Sequence, residues 1–206
     1  DYSKGLPEKF KALEFLWERY PEFRERFTFI QVAVPSRTDI EAYDELAQKV
    51  DRQVWEINER FGTEGWKPIH LLKQSLPAER LALLYRTADL CIVSSLQDGM
   101  NLVAKEYVAS QADRSGVLLL SRFAGAAEEM PSATLINPYD PEQFALQIRD
   151  ALNLPPEERR EAMRELGRSV RSIFDWMHDV FAAWGSIAAE AEPADPAEAG
   201  EMAAAR

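Results

Sequence analysis

The chain is poor in the residues that staple and chelate. Its 206 residues include one cysteine, Cys91, and two histidines, His70 and His178. A single cysteine excludes an internal disulfide and a zinc site built on thiolates. It fits a reducing compartment, so a cytoplasmic location is expected. The two histidines are too far apart in sequence to form a ligand pair and read as structural or surface residues. They give no ground to expect a metal site. Positive charge is also scarce: 24 Lys and Arg stand against 35 Asp and Glu, a net charge of −11. That sign repels phosphate backbones, so binding of nucleic acid over a large face is not expected. No uninterrupted apolar run approaches about 18 residues, so no membrane span is expected, and no signal peptide is recognisable. The first residue is Asp1 rather than Met, and the expectation is a piece of something longer.

The remaining composition is that of a globular protein, 46% hydrophobic and 29% charged, enough for a core without covalent staples. Two hydrophobic periods alternate along it. Short β-rich runs at 28–34, 68–72, 90–94, 117–120 and 134–136 read as strands. Ile40, Tyr43, Leu46, Val50, Val54, Ile57 and Phe61 recur every three or four residues and read as one face of a helix, with Thr38 and Glu41 as a capping box. Further helices are expected at 77–87, capped by Ser75, and at 101–111. Another starts after Asp140 as N-cap and Pro141 as first helical residue, and two more cover 157–170 and 172–189. Alternating strands and helices with continuously apolar strands predict an α/β, doubly wound, mostly parallel, Rossmann-like sheet covered on both faces. Cys91 reads as a small buried hydrophobe in it.

Residues 1–171 form the expected domain. The helix 172–189 carries Phe174, Trp176, Met177, Phe181 and Trp184 and is expected to pack on its own or a neighbouring domain. Residues 190–206 are Ala, Glu and Pro with almost no large apolar side chain and read as a disordered tail.

The stretch from Asp98 to Val108, DGMNLVAKEYV, follows a strand and opens a helix. In such sheets ligands sit beyond the carboxyl ends of the strands. Gly99 is read as the residue that turns the backbone sharply and lets it approach a ligand. The amides of Met100 to Val103 are the unsatisfied N–H groups of a helix start, which favour a phosphate. Glu106 lies about one turn inside, and Asp98 at the loop edge; both carboxylates can accept from sugar hydroxyls. Two acids flanking an anion site suit a nucleotide sugar. The alternative is that they merely favour the helix start. Lys105 suits either the phosphates or a solvated face, and Phe123 to Ala127 either the sugar pocket or tight packing of strand on helix.

These residues also carry a resemblance. An acidic residue, seven intervening residues and a glutamate is similar to the donor-binding motif of retaining glycosyltransferases built from two Rossmann domains (GT-B). DYSKGLPEKF at 1–10, VPSRTD at 34–39, DGMNLVAKEYV at 98–108, FAGAAEE at 123–129 and NPYD at 137–140 resemble the trehalose-6-phosphate synthase family, over about residues 1–180. The resemblance implies transfer of glucose from UDP-glucose to glucose 6-phosphate with retention and without a metal, UDP-glucose being a substrate rather than a cofactor. It implies that Lys4 contacts the donor diphosphate and stabilises it as it leaves, and that Arg37 shapes the donor site. Asp98 would bond glucose hydroxyls. The amides of Gly99, Met100 and Asn101 would touch glucose, and those of Leu102 and Val103 the phosphate. Glu106 would hold the ribose, and the loop 74–76, Leu76 in particular, would meet the uracil. The leaving phosphate would itself take the acceptor's proton, since no protein nucleophile is evident.

The resemblance further implies that this chain is the donor-binding half of a GT-B enzyme. The acceptor domain, which binds glucose 6-phosphate, and the first strand of this domain would lie upstream. The piece alone is then expected to be inactive, and the exposed face at 176–184 to make it self-associate. The family's Thr-Pro-Leu-Arg turn is replaced here by Ser94-Ser95-Leu96-Gln97, which removes a cation and leaves open a different polyol phosphate as acceptor. Alternatives are a glucosylglycerol-phosphate-type synthase and a non-catalytic nucleotide-sugar-binding module.

Overall fold

The short apolar runs are strands and the three-and-four runs are helices, as their periods require. The computed structural model describes residues 2–34, 41–111 and 115–191. They divide into two units, Asp1–Ser169 and Val170–Arg206.

In the first unit the strands are β1 (Phe29–Val32), β2 (Ile69–Leu72), β3 (Leu90–Val93), β4 (Val117–Ser121) and β5 (Thr134–Ile136). All pair in parallel, in two sheets rather than one. β1 pairs with β2, Phe29 opposite Ile69; β4 lies between β3 and β5, with Leu119 opposite both Ile92 and Thr134. The helices are α1 (Leu6–Arg19), α2 (Glu41–Phe61), α3 (Ala78–Thr87), α4 (Leu102–Ser110), α5 (Ala126–Glu129), α6 (Pro141–Asn153) and α7 (Pro156–Ser169). Tyr2–Lys4 and Pro21–Phe23 are short 3-10 turns.

The alternation along β4 shows how the sheet is covered. Val117 and Leu119 belong to one buried cluster with Phe10, Leu13 and Trp17 of α1, Val54 and Ile57 of α2 and Ile148 of α6. Leu118 and Leu120 point the other way and are also buried, on the side where α4 and α7 meet β4. Helices therefore cover both faces, the doubly wound arrangement.

Helix starts follow local chemistry. The Asp140 carboxylate accepts from Gln143 N at 3.0 Å with Pro141 in the first turn of α6. Ser75 does not cap α3: Pro77 is its N-cap, without a side-chain bond, and Ser75 stands two residues too early. The proposed box at Thr38 lies outside the described residues. In the second unit α8 (Ile173–Ala191) opens with a reciprocal box. Ser172 Oγ accepts from Asp175 N at 3.2 Å, and Asp175 accepts from Ser172 N at 2.8 Å. This helix extends into the stretch read as tail; residues 192–206 lie outside those described.

Candidate functional site

β3 ends at Ser94 and Ser95, both buried, and the chain turns through Asp98 into α4. The first turn of the protein is stitched onto this strand end. Ser94 Oγ donates to the carbonyls of Lys4 and Gly5 at 3.1 and 3.0 Å, and Leu96 N donates to Ser3 O at 2.7 Å. Gly5 must be glycine: its φ is +61° and a Cβ there would lie 2.1 Å from Ser94 O. This contact brings Lys4 over the loop, where its ammonium meets Asp98 Oδ2 at 2.7 Å. Lys4 and Asp98 are 94 residues apart in sequence.

Asp98 is the hub of the loop. Besides Lys4 it accepts from Asn101 Nδ2 at 3.0 Å, Ser95 Oγ at 3.3 Å and Met100 N at 3.4 Å. Burial alone would raise its pKa; the bonds from Lys4, Asn101 and Met100 outweigh it and hold the carboxyl below the ordinary carboxylate range. Its side chain is only 13% exposed, whereas that of Lys4 is 49% exposed, so the carboxylate anchors a cation that still faces solvent.

The turn into α4 is made by Asn101, not by Gly99. Asn101 has φ 76°, and its side chain caps the helix by accepting from Ala104 N at 3.0 Å. Among the described glycines only Gly5 has a positive φ, so Gly99 serves another purpose. The space its Cβ would fill is open, which leaves the backbone approachable. Gly125 is the reverse: a Cβ there would lie 2.2 Å from Gly99 O. Gly125 N donates to Asp98 O at 2.8 Å and Ala126 N to Met100 O at 2.8 Å. The small residues at 124–126 therefore hold the loop by close packing.

With Ala104 capped and Met100 bonded to Asp98, the amides of Leu102 and Val103 have no acceptor among the described residues. Met100, Leu102 and Val103 are exposed around them. Glu106 follows at the helical spacings of four and three, on the same face, with its side chain leaning toward the helix start. It is exposed and accepts from Tyr85 Oη at 3.3 Å. Tyr85, on α3, was no part of the sequence prediction. Lys105 pairs instead with Glu129 at 2.7 Å.

Lys4, Asp98, Gly99, Met100, Asn101, Leu102, Val103 and Glu106 thus share one sheet end and the helix start beside it. Leu76 lies in the loop after β2, half-buried, also at the carboxyl end of its strand. Arg37 lies outside the described residues. Gln97, where the resemblance leads one to expect an arginine, is exposed. Among the described residues no group of three or more His, Cys, Asp or Glu is placed to hold a metal ion, and no helix is long and apolar enough to cross a membrane.

A cation fixed by an acid beside bare helix-start amides has the chemistry to meet a phosphorylated ligand. Residues 1–184 match the profile of Glycosyltransferase family 20. The chain belongs to glycosyltransferase family 20. It is 46% identical over 161 residues to the UDP-forming alpha,alpha-trehalose-phosphate synthase A of Dictyostelium discoideum, which covers 78% of this chain and 22% of that relative. The family structure of trehalose-6-phosphate synthase from E. coli, bound with UDP-2-fluoro glucose, superimposes with a TM-score of 0.86 at 39% identity over 89% of this chain and 41% of that one. A UDP-forming synthase from Burkholderia xenovorans in complex with glucose-6-phosphate superimposes with a TM-score of 0.85 at 38% identity, with the same coverage of 89% and 41%. The α/β fold expected from sequence is the fold of these family members. The chain spans 22% to 38% of the length of curated relatives it matches.

Proposed function

We propose that this chain binds UDP-glucose and is the donor-binding half of a retaining glucosyltransferase that makes trehalose 6-phosphate from glucose 6-phosphate. The observation that carries the reading is the Lys4–Asp98 pair set beside the free amides of Leu102 and Val103. An ammonium has three donors. One stays on Asp98, and the others reach a diphosphate seated at the start of α4. Glu106 stands one turn along, where it accepts from ribose hydroxyls. Asp98 and the amides around Gly99 face the glucose, and Leu76 borders the uracil.

Breaking the bond between glucose and UDP places negative charge on the diphosphate. Lys4 and the helix start are positive at that point, so they favour the transition state over the bound donor. Asp98 is fully engaged as an acceptor and is not a free nucleophile. The new bond forms to the acceptor's hydroxyl oxygen on the face that UDP leaves, and the hydroxyl's proton passes to the departing phosphate. The E. coli relative bound with UDP-2-fluoro glucose and the Burkholderia relative bound with glucose-6-phosphate support donor and acceptor respectively.

Calorimetric titration of residues 1–206 with UDP and UDP-glucose tests the reading. Binding is expected, and Glu106→Ala should weaken it by about 1–3 kcal/mol, the cost of unpaired polar groups. No binding by the folded chain refutes the donor site; unchanged affinity removes Glu106 from the ribose.

A further inference from the structure

One contact beside the candidate site joins two helices through a polar bond that packing alone does not require. Tyr85, near the end of α3, donates its phenol to Glu106 Oε2 at 3.3 Å, across 21 residues of sequence. The tyrosine is half-buried and Glu106 is exposed, so the bond lies at the wet rim of the contact between α3 and α4. The tyrosine is fixed from behind by α4 itself. Gln111, the C-cap of that helix, donates to the Tyr85 carbonyl through Nε2. The Tyr85 ring stands edge-on to Tyr107, with centroids 6.3 Å apart. Tyr107 is fully buried, and its hydroxyl donates to Ala88 O at 3.1 Å. The phenol is therefore a donor mounted on a rigid support.

An exposed glutamate by itself samples many rotamers, and a ligand that needs one of them must freeze the rest. A bond from a rigid neighbour does part of that ordering before the ligand arrives. The neutrality of the donor matters as much as its place. A lysine or arginine there would neutralise the carboxylate. A phenol engages one oxygen and leaves the negative charge for hydroxyl donors. Burial, and after it the charge of Glu106, push the Tyr85 phenol above its ordinary range, so it keeps its proton throughout the neutral range.

We infer that Tyr85 is a positioning residue for the sugar part of the nucleotide: it holds Oε2 of Glu106, leaves Oε1 for the ribose hydroxyls, and so sets selectivity for a ribose diol over a sugar that lacks one. The inference rests on the ribose role proposed for Glu106 and adds a residue that acts through it. Selectivity follows because an ordered acceptor favours only a ligand with hydroxyls to donate. A ligand without them leaves the acceptor unpaired.

Competition titrations of the chain with UDP and with 2′,3′-dideoxy-UDP test this. Wild type should prefer UDP by about tenfold or more, and Glu106→Ala should reduce that preference to about twofold or less. Tyr85→Phe keeps the ring against Tyr107 and removes only the hydroxyl. It should weaken UDP by roughly three- to tenfold and leave dideoxy-UDP within about twofold of wild type, which also reports a folded site. In the Glu106→Ala background the same change should alter neither affinity. Equal weakening of both nucleotides by Tyr85→Phe, an unchanged preference, or the same loss with Glu106 already removed overturns the inference and leaves the ribose role of Glu106 standing. A wild type that does not bind UDP or shows no preference, or a Glu106→Ala variant that keeps the preference, refutes the ribose role and the inference with it.

Discussion

Asp98 shows how much a single carboxylate organises. It holds the Lys4 cation, the Asn101 cap and the Ser95 hydroxyl at once. Asp98→Asn keeps the size but loses the charge. Affinity for UDP-glucose should fall by roughly 10- to 100-fold, the range of about 1.5–3 kcal/mol for charge-assisted bonds. The pH dependence has a definite sign. The folded carboxyl sits below its ordinary value of 3.8, so its stabilising effect is present above that value and is lost as pH falls through the folded one. Urea unfolding at pH 3, 5 and 7 should show wild type and Asp98→Asn separated equally at 5 and 7 and less at 3. Lys9 has the opposite character. Burial lowers its pKa to about 8, against 10.5 when exposed. Below pH 8 the folded chain carries the whole cost of a buried charge; between 8 and 10.5 the unfolded chain holds more protons, and stability rises with pH. In a Cys91→Ser background, needed because the thiol is pushed up to about 12 by burial and acts oppositely above pH 9, Lys9→Met should lose that rise. The rise amounts to about 3 kcal/mol at most.

At the scale of elements, the two glycines of the site make a contrast that can be measured. Gly99→Ala meets open space and should leave the melting temperature unchanged while weakening UDP-glucose binding, since the methyl stands where a ligand approaches. Gly125→Ala meets Gly99 O and should lower the melting temperature even without ligand. Strands and most helices were legible because buried faces repeat at fixed periods, and Asp140-Pro141 announced α6 directly. α1 was not named, although Phe10, Leu13 and Trp17 keep helical spacing; its start falls on Gly5 and Pro7, residues that elsewhere end helices. In the structure one is its left-handed N-cap and the other lies in its first turn. The turn before α4 was legible as a strand end opening a helix, but its sharp bend was assigned to glycine and falls to Asn101, whose side chain can satisfy the helix start. The meeting of Lys4 with Asp98, and of Tyr85 with Glu106, arises from tertiary packing and has no signature in local spacing; only the family resemblance brought Lys4 forward. Which strand lies beside which was likewise invisible to periodicity, which reports only that a strand is buried.

For the whole molecule, the proposed division of labour predicts that residues 1–206, given UDP-glucose and glucose 6-phosphate, form no trehalose 6-phosphate by chromatography. Product from this chain alone would show that the acceptor binds here. Lys4 reaches Asp98 because Ser94 and Leu96 hold the backbone of residues 3–5 against the end of β3. Ser94→Ala removes the hydroxyl that fastens the carbonyls of Lys4 and Gly5, and touches no ligand in the proposed site. Calorimetry of that variant should therefore find weaker UDP binding, because a buried hydroxyl beneath the first turn sets how firmly the cation is presented.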